Sequence, residues 1–459
     1  MAEAQKPSKL EKNLQVLTDE IGGRMSGTPA MDKAIAWAAA GMKEAGADSV
    51  TLESFSMPAK WEEGATSVRV TSPTSFWVRA VASPWTPAFT PSAPVRFIDV
   101  GQGSAAEYAK AGSIAGAVVL VHSKVGTTWE DLFNDYLVAP PIIELAMKGK
   151  AAAIAFISTR EHELLYRHIN GLQGEIAKLP TFIVAREDGQ RIARLIASGK
   201  QVRAKVSVPN RVGPAFSTHN VVGEIRGREK PDEYVILGAH LDSWELGTGA
   251  LDNGANSALV IDAIRAIKAS GLTPRRSIRF ILYSGEEQGM LGSAHYIVRH
   301  RAELDKIVAD VVFDAGTGPV TGYSLGGRKD AVAAVTKLLA PLQPLGVKEM
   351  TTDAFVGTDN IHLLLEGVPT LVASQKEANY LVNYHASSDT YDKVDLDALR
   401  RHVVIAEATV FAIADAPERI APRQTVPEIE ALLKETALDV QLKTFGMWKQ
   451  WQEIAARRK

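Results

Sequence analysis

Five short segments place acids and histidines where a metal ion could use them: GAHLDS at 238–243, GALDNGANS at 249–257, SGEEQGMLGS at 284–293, VVFDAGTG at 311–318 and NYHASSDTYDKVD at 383–395. His240 offers an imidazole nitrogen, and Asp242 can accept the other ring N–H and so fix the tautomer. A histidine after a strand is also a common structural residue. Asp252 stands among glycines and small residues, so its two oxygens could bridge two cations. Its alternative use is to cap the helix that follows. Glu286 and Glu287 are adjacent acids after an apolar run, and they repel unless positive charge lies beside them. A metal supplies that charge and divides the labour, with Glu287 binding the ion and Glu286 moving a proton. Asp314 fits a ligand or a turn, and His385 a ligand or a surface loop. Together, two histidines and three carboxylates form a nitrogen-and-oxygen set suited to two Zn²⁺ ions about 3.5 to 4 Å apart.

Composition narrows the partners. The chain has 459 residues and no cysteine, so thiolate ligation and disulfides are excluded. Its length favours two or more domains. Lys and Arg total 51 against 53 Asp and Glu, a formal charge of -2. Nothing in that balance calls for nucleic acid or an acidic membrane surface. No apolar run reaches the roughly 18 residues of a bilayer span. The opening MAEAQKPSKLEKN has no apolar leader core, so it reads as cytoplasmic or as a chain whose leader has been removed.

The elements that would hold these residues follow from periodicity. Residues 9–47 have helical spacing, broken at Ser26-Gly27-Thr28-Pro29. Between 67 and 214 the pattern changes to short β-type runs at 68–70, 97–100, 117–121, 152–157, 181–184 and 202–208. From 215 to 421 strands alternate with helices, and 234–237, 278–283 and 307–313 read as buried central strands. His240, Glu286, Glu287 and Asp314 then follow strand ends, where ligands bind in open α/β sheets. Residues 422–459 read as a helical extension broken near Gly446, a surface cap whose closing Arg457-Arg458-Lys459 is solvated.

These segments resemble the M28 peptidase family, specifically its carboxypeptidase Q-like branch. The likeness is carried by AHLDSWELGTGALDNG (239–254), YSGEEQGMLGS (283–293), FDAGTGPVTGYSLGG (313–327), VGTDNIHLLLEGVPT (356–370) and YHASSDTYDKVD (384–395). It implies a three-layer α/β, phosphorylase/hydrolase-like zinc peptidase domain with a mixed, mostly parallel central sheet. Residues 1–66 would be its N-terminal helical part, and 67–214 an inserted, β-rich protease-associated domain. It also implies roles. His240 and Asp314 would hold one zinc and Glu287 and His385 the other, with Asp252 bridging, Glu286 as general base and Asp242 orienting His240. A cis peptide at Asp252-Asn253 is implied as well. Relatives often carry a second Asp where this chain has Asn253.

The implied activity is zinc-dependent exopeptidase cleavage of dipeptides or short peptides with free termini. Asp359 and Tyr384 are candidate substrate-wall residues, although Asp359 could equally cap the helix after it. A homodimer, secreted or periplasmic, is expected by the same resemblance. Other readings are an aminopeptidase on longer peptides, a glutaminyl-cyclase-like single-zinc transferase, and a non-catalytic receptor or scaffold. His162 and His168 invite a second metal site, but HELLY lacks the second histidine of an H-E-x-x-H helix.

Overall fold

The computed structural model describes residues 1–167 and 173–458. Two compact units divide the chain: Met1–Ser56, Ser217–Tyr380 and Asp389–Lys459 form one, and Met57–Phe216 with Leu381–Ser388 the other.

The first unit is built on an eight-stranded sheet in the order Ser49–Met57, Phe216–Ile225, Arg276–Tyr283, Lys230–His240, Ile307–Val312, Thr370–Gln375, Val320–Ser324, Glu349–Thr351. Its centre is parallel, Lys230–His240 pairing on both sides with parallel neighbours, while Phe216–Ile225 and Val320–Ser324 enter antiparallel. Strand alternation sends Val235, Leu237 and Ala239 into one apolar cluster and Ile236 into another. The first cluster takes helices Pro29–Glu44, Ala255–Ala269 and Leu396–Asp415, and the second takes Leu291–Arg299 and Ile361–Leu365. A sheet covered on both faces gives the three-layer α/β architecture expected from sequence.

Two expectations need correction in this unit. The N-terminal part is not purely helical, because Ser49–Met57 forms an edge strand of the sheet. The closing arginines are not simply solvated charge: Arg457, itself exposed, and Arg423 both pair with the carboxylate of Glu366, which is fully buried. Arg458 donates to the Glu366 carbonyl at 2.7 Å. An acid buried without cations would be costly, so the tail Val426–Glu435, Leu438–Thr444 and Trp448–Arg458 is held by charge as well as by packing.

The second unit has its own eight-stranded sheet, whose central strands Val95–Asp99, Val118–Val121, Ala153–Ile157 and Thr181–Val184 run parallel. Parallel strands require crossovers; helices Ala105–Ala111 and Trp129–Lys148 lie between the first three in sequence, and Arg186–Ala197 follows the fourth. The unit is thus more helical than its strand-rich sequence pattern indicates.

Candidate metal centre

Register explains why distant acids converge. His240 is the last residue of its strand and lies opposite Tyr283, while Gly238 lies opposite Val312. Three parallel strands therefore end side by side, and the next residues out are Ser284 to Glu287 on one flank and Asp314 on the other. His240 Nε2 sits 3.0 Å from Asp252 Oδ1 and 3.1 Å from Asp314 Oδ1. Donor atoms of His240, Asp252 and Glu287 all lie within 4.8 Å of one another, and all three residues are buried. Glu286 is the more exposed of the two adjacent glutamates.

Asp242 does not work as the sequence suggests. His240 Nδ1 donates to the backbone carbonyl of Asp242 at 2.9 Å, while the nearer carboxylate oxygen is 3.8 Å away. That carboxylate instead accepts the backbone N–H groups of Glu286 and Glu287 at 3.2 and 3.3 Å. The carbonyl fixes the tautomer, and the carboxylate fixes the Glu286-Glu287 turn. Because a carbonyl only accepts, Nδ1 carries the ring proton, and Nε2 points toward two carboxylate oxygens. Nitrogen lone pair and carboxylates at that range repel unless a proton or a cation lies between them.

The charges tell the same story. Burial opposes a charged His240, yet Asp314, Asp252 and Glu286 outweigh it and hold its pKa well above the ordinary value. Burial lifts Glu286 well above the carboxylate range, with His240 opposing and Asp314, Glu287 and Asp359 adding. Burial also raises Asp242 and Asp314, and takes Asp359 to about 7. A pocket with one imidazole among so many acids can stay charged only if a cation joins it, so the donor set fits divalent metal.

Residues 220–410 match the sequence profile of Peptidase family M28. Mouse carboxypeptidase Q is 26% identical over 409 residues, covering 89% of this chain and 86% of that protein. The solved structure of a peptidase M28 precursor from Shewanella amazonensis superposes with a TM-score of 0.82 at 26% identity, covering 92% of this chain and 97% of the other. Residues 220–410 form a peptidase family M28 region. That match, the carboxypeptidase Q relatives and the M28 neighbours together make the chain a metallopeptidase. BSAP, a zinc aminopeptidase from Bacillus subtilis, shares the fold at TM-score 0.67 and 18% identity, covering 90% of this chain and 98% of its own.

Within this M28 unit, two further residues hold the loop between His240 and Asp252, and neither was singled out from sequence. Asp389 is buried and accepts the N–H groups of Ala250, Leu251 and Asp252 at 3.1, 2.7 and 3.1 Å. Arg24, wholly buried, donates to the carbonyls of Leu241, Thr248 and Gly249. Burial brings Arg24 down to about 10, opposed first by Asp389. Gly249 has φ +60, and a Cβ there would come within 2.2 Å of Ser243 Cβ, so the doubled-back loop requires glycine. Asp389 lies in the segment quoted for His385, where its own part was masked by the histidine. Tyr380 was also missed; burial raises its pKa, and Asp252, Asp314, Glu287 and Asp389 all act on it. The Asp252-Asn253 peptide is cis.

Asp359 is buried and does not cap helix Ile361–Leu365, whose N-cap is Asn360. His385 and Tyr384 belong to the second unit. There His385 is buried with φ 55, and its Nδ1 lies 3.2 Å from the Arg167 carbonyl, the same kind of pairing that His240 makes. Tyr384 stacks on His385 at 3.6 Å, and its hydroxyl meets that of Tyr136 at 2.8 Å. His162 is exposed, with its N–H on Glu187; His168 lies outside the described residues. Among the described residues, His240, Asp252 and Glu287 form the single His/Asp/Glu group gathered closely enough for an ion.

Proposed function

We propose that the chain is a dizinc exopeptidase hydrolysing dipeptides or short peptides with free termini. The observation that carries this is the placement of His240 Nε2 between Asp252 and Asp314, with Glu287 beside them. His240 and Asp314 would hold one zinc, Glu287 and His385 the other, and Asp252 both. Bound there, zinc lowers the pKa of water and polarises a scissile carbonyl. Glu286, partly exposed where Glu287 is buried, would take a proton from the attacking water and return it to the departing amine. Asp242 keeps Glu286 in place through the backbone of its turn. Asp359 lies close enough to act on Glu286, and with Tyr384 is proposed to border the substrate.

We assign residues 67–214 to a protease-associated insertion. By family analogy we further propose a secreted or periplasmic homodimer. Product analysis on a dipeptide series, longer peptides and peptides with N-terminal Gln tests the substrate class. Cleavage of dipeptides with about two zinc per chain is the expected result. Preferred release of N-terminal residues from long peptides would make it an aminopeptidase, cyclisation of Gln a transferase, and absence of both zinc and hydrolysis a scaffold.

A further inference from the structure

The loop from Leu241 to Asp252 carries a proposed metal ligand at its far end and follows another at its start. Loops of this kind usually gain order from the ion they bind. Here the backbone is already secured from two sides. Arg24 gathers its carbonyls at Leu241, Thr248 and Gly249, and Asp389 gathers its N–H groups at Ala250, Leu251 and Asp252. The Asp389 carbonyl also accepts from the Thr248 N–H at 2.8 Å. A buried cation has collected the acceptors of one loop and a buried anion its donors, which satisfies groups that burial would otherwise orphan.

The identity of residue 389 matters. Oδ1 serves Ala250 and Leu251, while Oδ2 serves Asp252. Only a carboxylate offers acceptors on both sides; an amide would turn an N–H₂ toward one of these N–H groups. The third bond reaches the backbone of the bridging ligand itself.

We infer that Asp389, with Arg24, is a positioning residue that presets the 241–252 loop, so that Asp252 is presented to the ion before the ion arrives. This rests on the reading of Asp252 as a metal ligand. Asp389 acts through the backbone of the loop that ends in Asp252.

The test measures zinc affinity of the full chain by competition with a chromophoric chelator, alongside the Tm of the metal-free protein. Asp389→Asn is expected to bind zinc about 10- to 100-fold more weakly, the usual effect of losing a residue that supports a ligand. Its hydrolytic rate should recover at saturating zinc, which a damaged fold would not allow. Glu366→Gln serves as the control for a buried acid distant in role: it should lower Tm and leave zinc affinity unchanged. Arg24→Lys keeps the charge but loses the fork, and should weaken zinc in the same direction; it decides the matter if Asp389→Asn does not fold. Wild-type affinity in folded Asp389→Asn, with affinity lost in Asp252→Asn, overturns this inference alone. Wild-type affinity in Asp252→Asn overturns the metal-centre reading and the inference with it.

Discussion

Both units end a set of parallel strands in polar residues, but the two rims differ in charge. In the second unit Asp99, at a strand end, meets His122 at 3.0 Å, and Asp131 meets Lys124 at 2.6 Å. Each of these acids has a protein cation, and His122 is 38% exposed. In the first unit acids outnumber bases: His240, its side chain 1% exposed, faces Asp252, Asp314 and Glu286, and the buried Arg24 acts on Asp389, Asp242, Asp252 and Glu287. Position at the ends of strands is therefore shared, and it does not mark a metal centre. A buried excess of acid over base does mark one, because an added cation is needed to balance it.

The strongest way to break this contrast is to remove the cation. Dialysis against a strong chelator should abolish hydrolysis, with recovery on adding zinc; activity that persists in chelator would end the metal reading. Glu286→Gln comes next. It should lower kcat by about 10² to 10⁴-fold, the range for a positioned proton carrier, while zinc content stays at the wild-type level. Loss of zinc in that variant would instead make Glu286 a ligand. His122→Gln in the second unit should change neither quantity.

The contrast also accounts for what could be read from sequence. Continuous apolar runs betray central strands, so the strands delivering His240, Glu287 and Asp314 were legible, as were the central strands of the second unit. The edge strand Ser49–Met57 was not, since only Glu53, Phe55 and Met57 along it are buried. Helix Trp129–Lys148 was hidden by Pro140 and Pro141, which normally interrupt a helical pattern. Side-chain types at strand ends announced the candidate ligands. Arg24 and Asp389 stayed invisible because they bind backbone, and backbone polarity leaves no trace in residue identity. The same reason hid the true bond of Asp242, whose carbonyl rather than carboxylate holds His240.

Asp242→Asn sharpens that last point. The backbone carbonyl remains, so His240 keeps its tautomer, while one of the two N–H groups at Glu286 and Glu287 loses a carboxylate acceptor. Zinc binding should weaken by about 10-fold, the lower end for such support, and kcat at saturating zinc should fall as Glu286 loses its fixed place. Unchanged kcat with unchanged affinity would show that the turn holds itself.

The smallest expected effect lies in the balanced rim. Its hydrogen bond to Asp99 raises the pKa of His122 against the effect of burial. Burial would raise Asp99, but His122 and the Gly101 N–H lower it overall. The histidine contribution is fully present below its unfolded pKa of about 6.5 and fades as pH rises through the higher folded value. The aspartate contribution is present above about 3.9 and fades as pH falls through the lower folded value. The pair thus stabilises the fold most between about pH 4 and 6.5. Urea unfolding of the metal-free chain should show a stability gap between wild type and His122→Gln that is wider at pH 5.5 than at pH 8. Because the pair is partly exposed, added salt should narrow the gap. A gap independent of pH would mean that His122 contributes by packing, and that the second rim is neutral for a reason other than pairing.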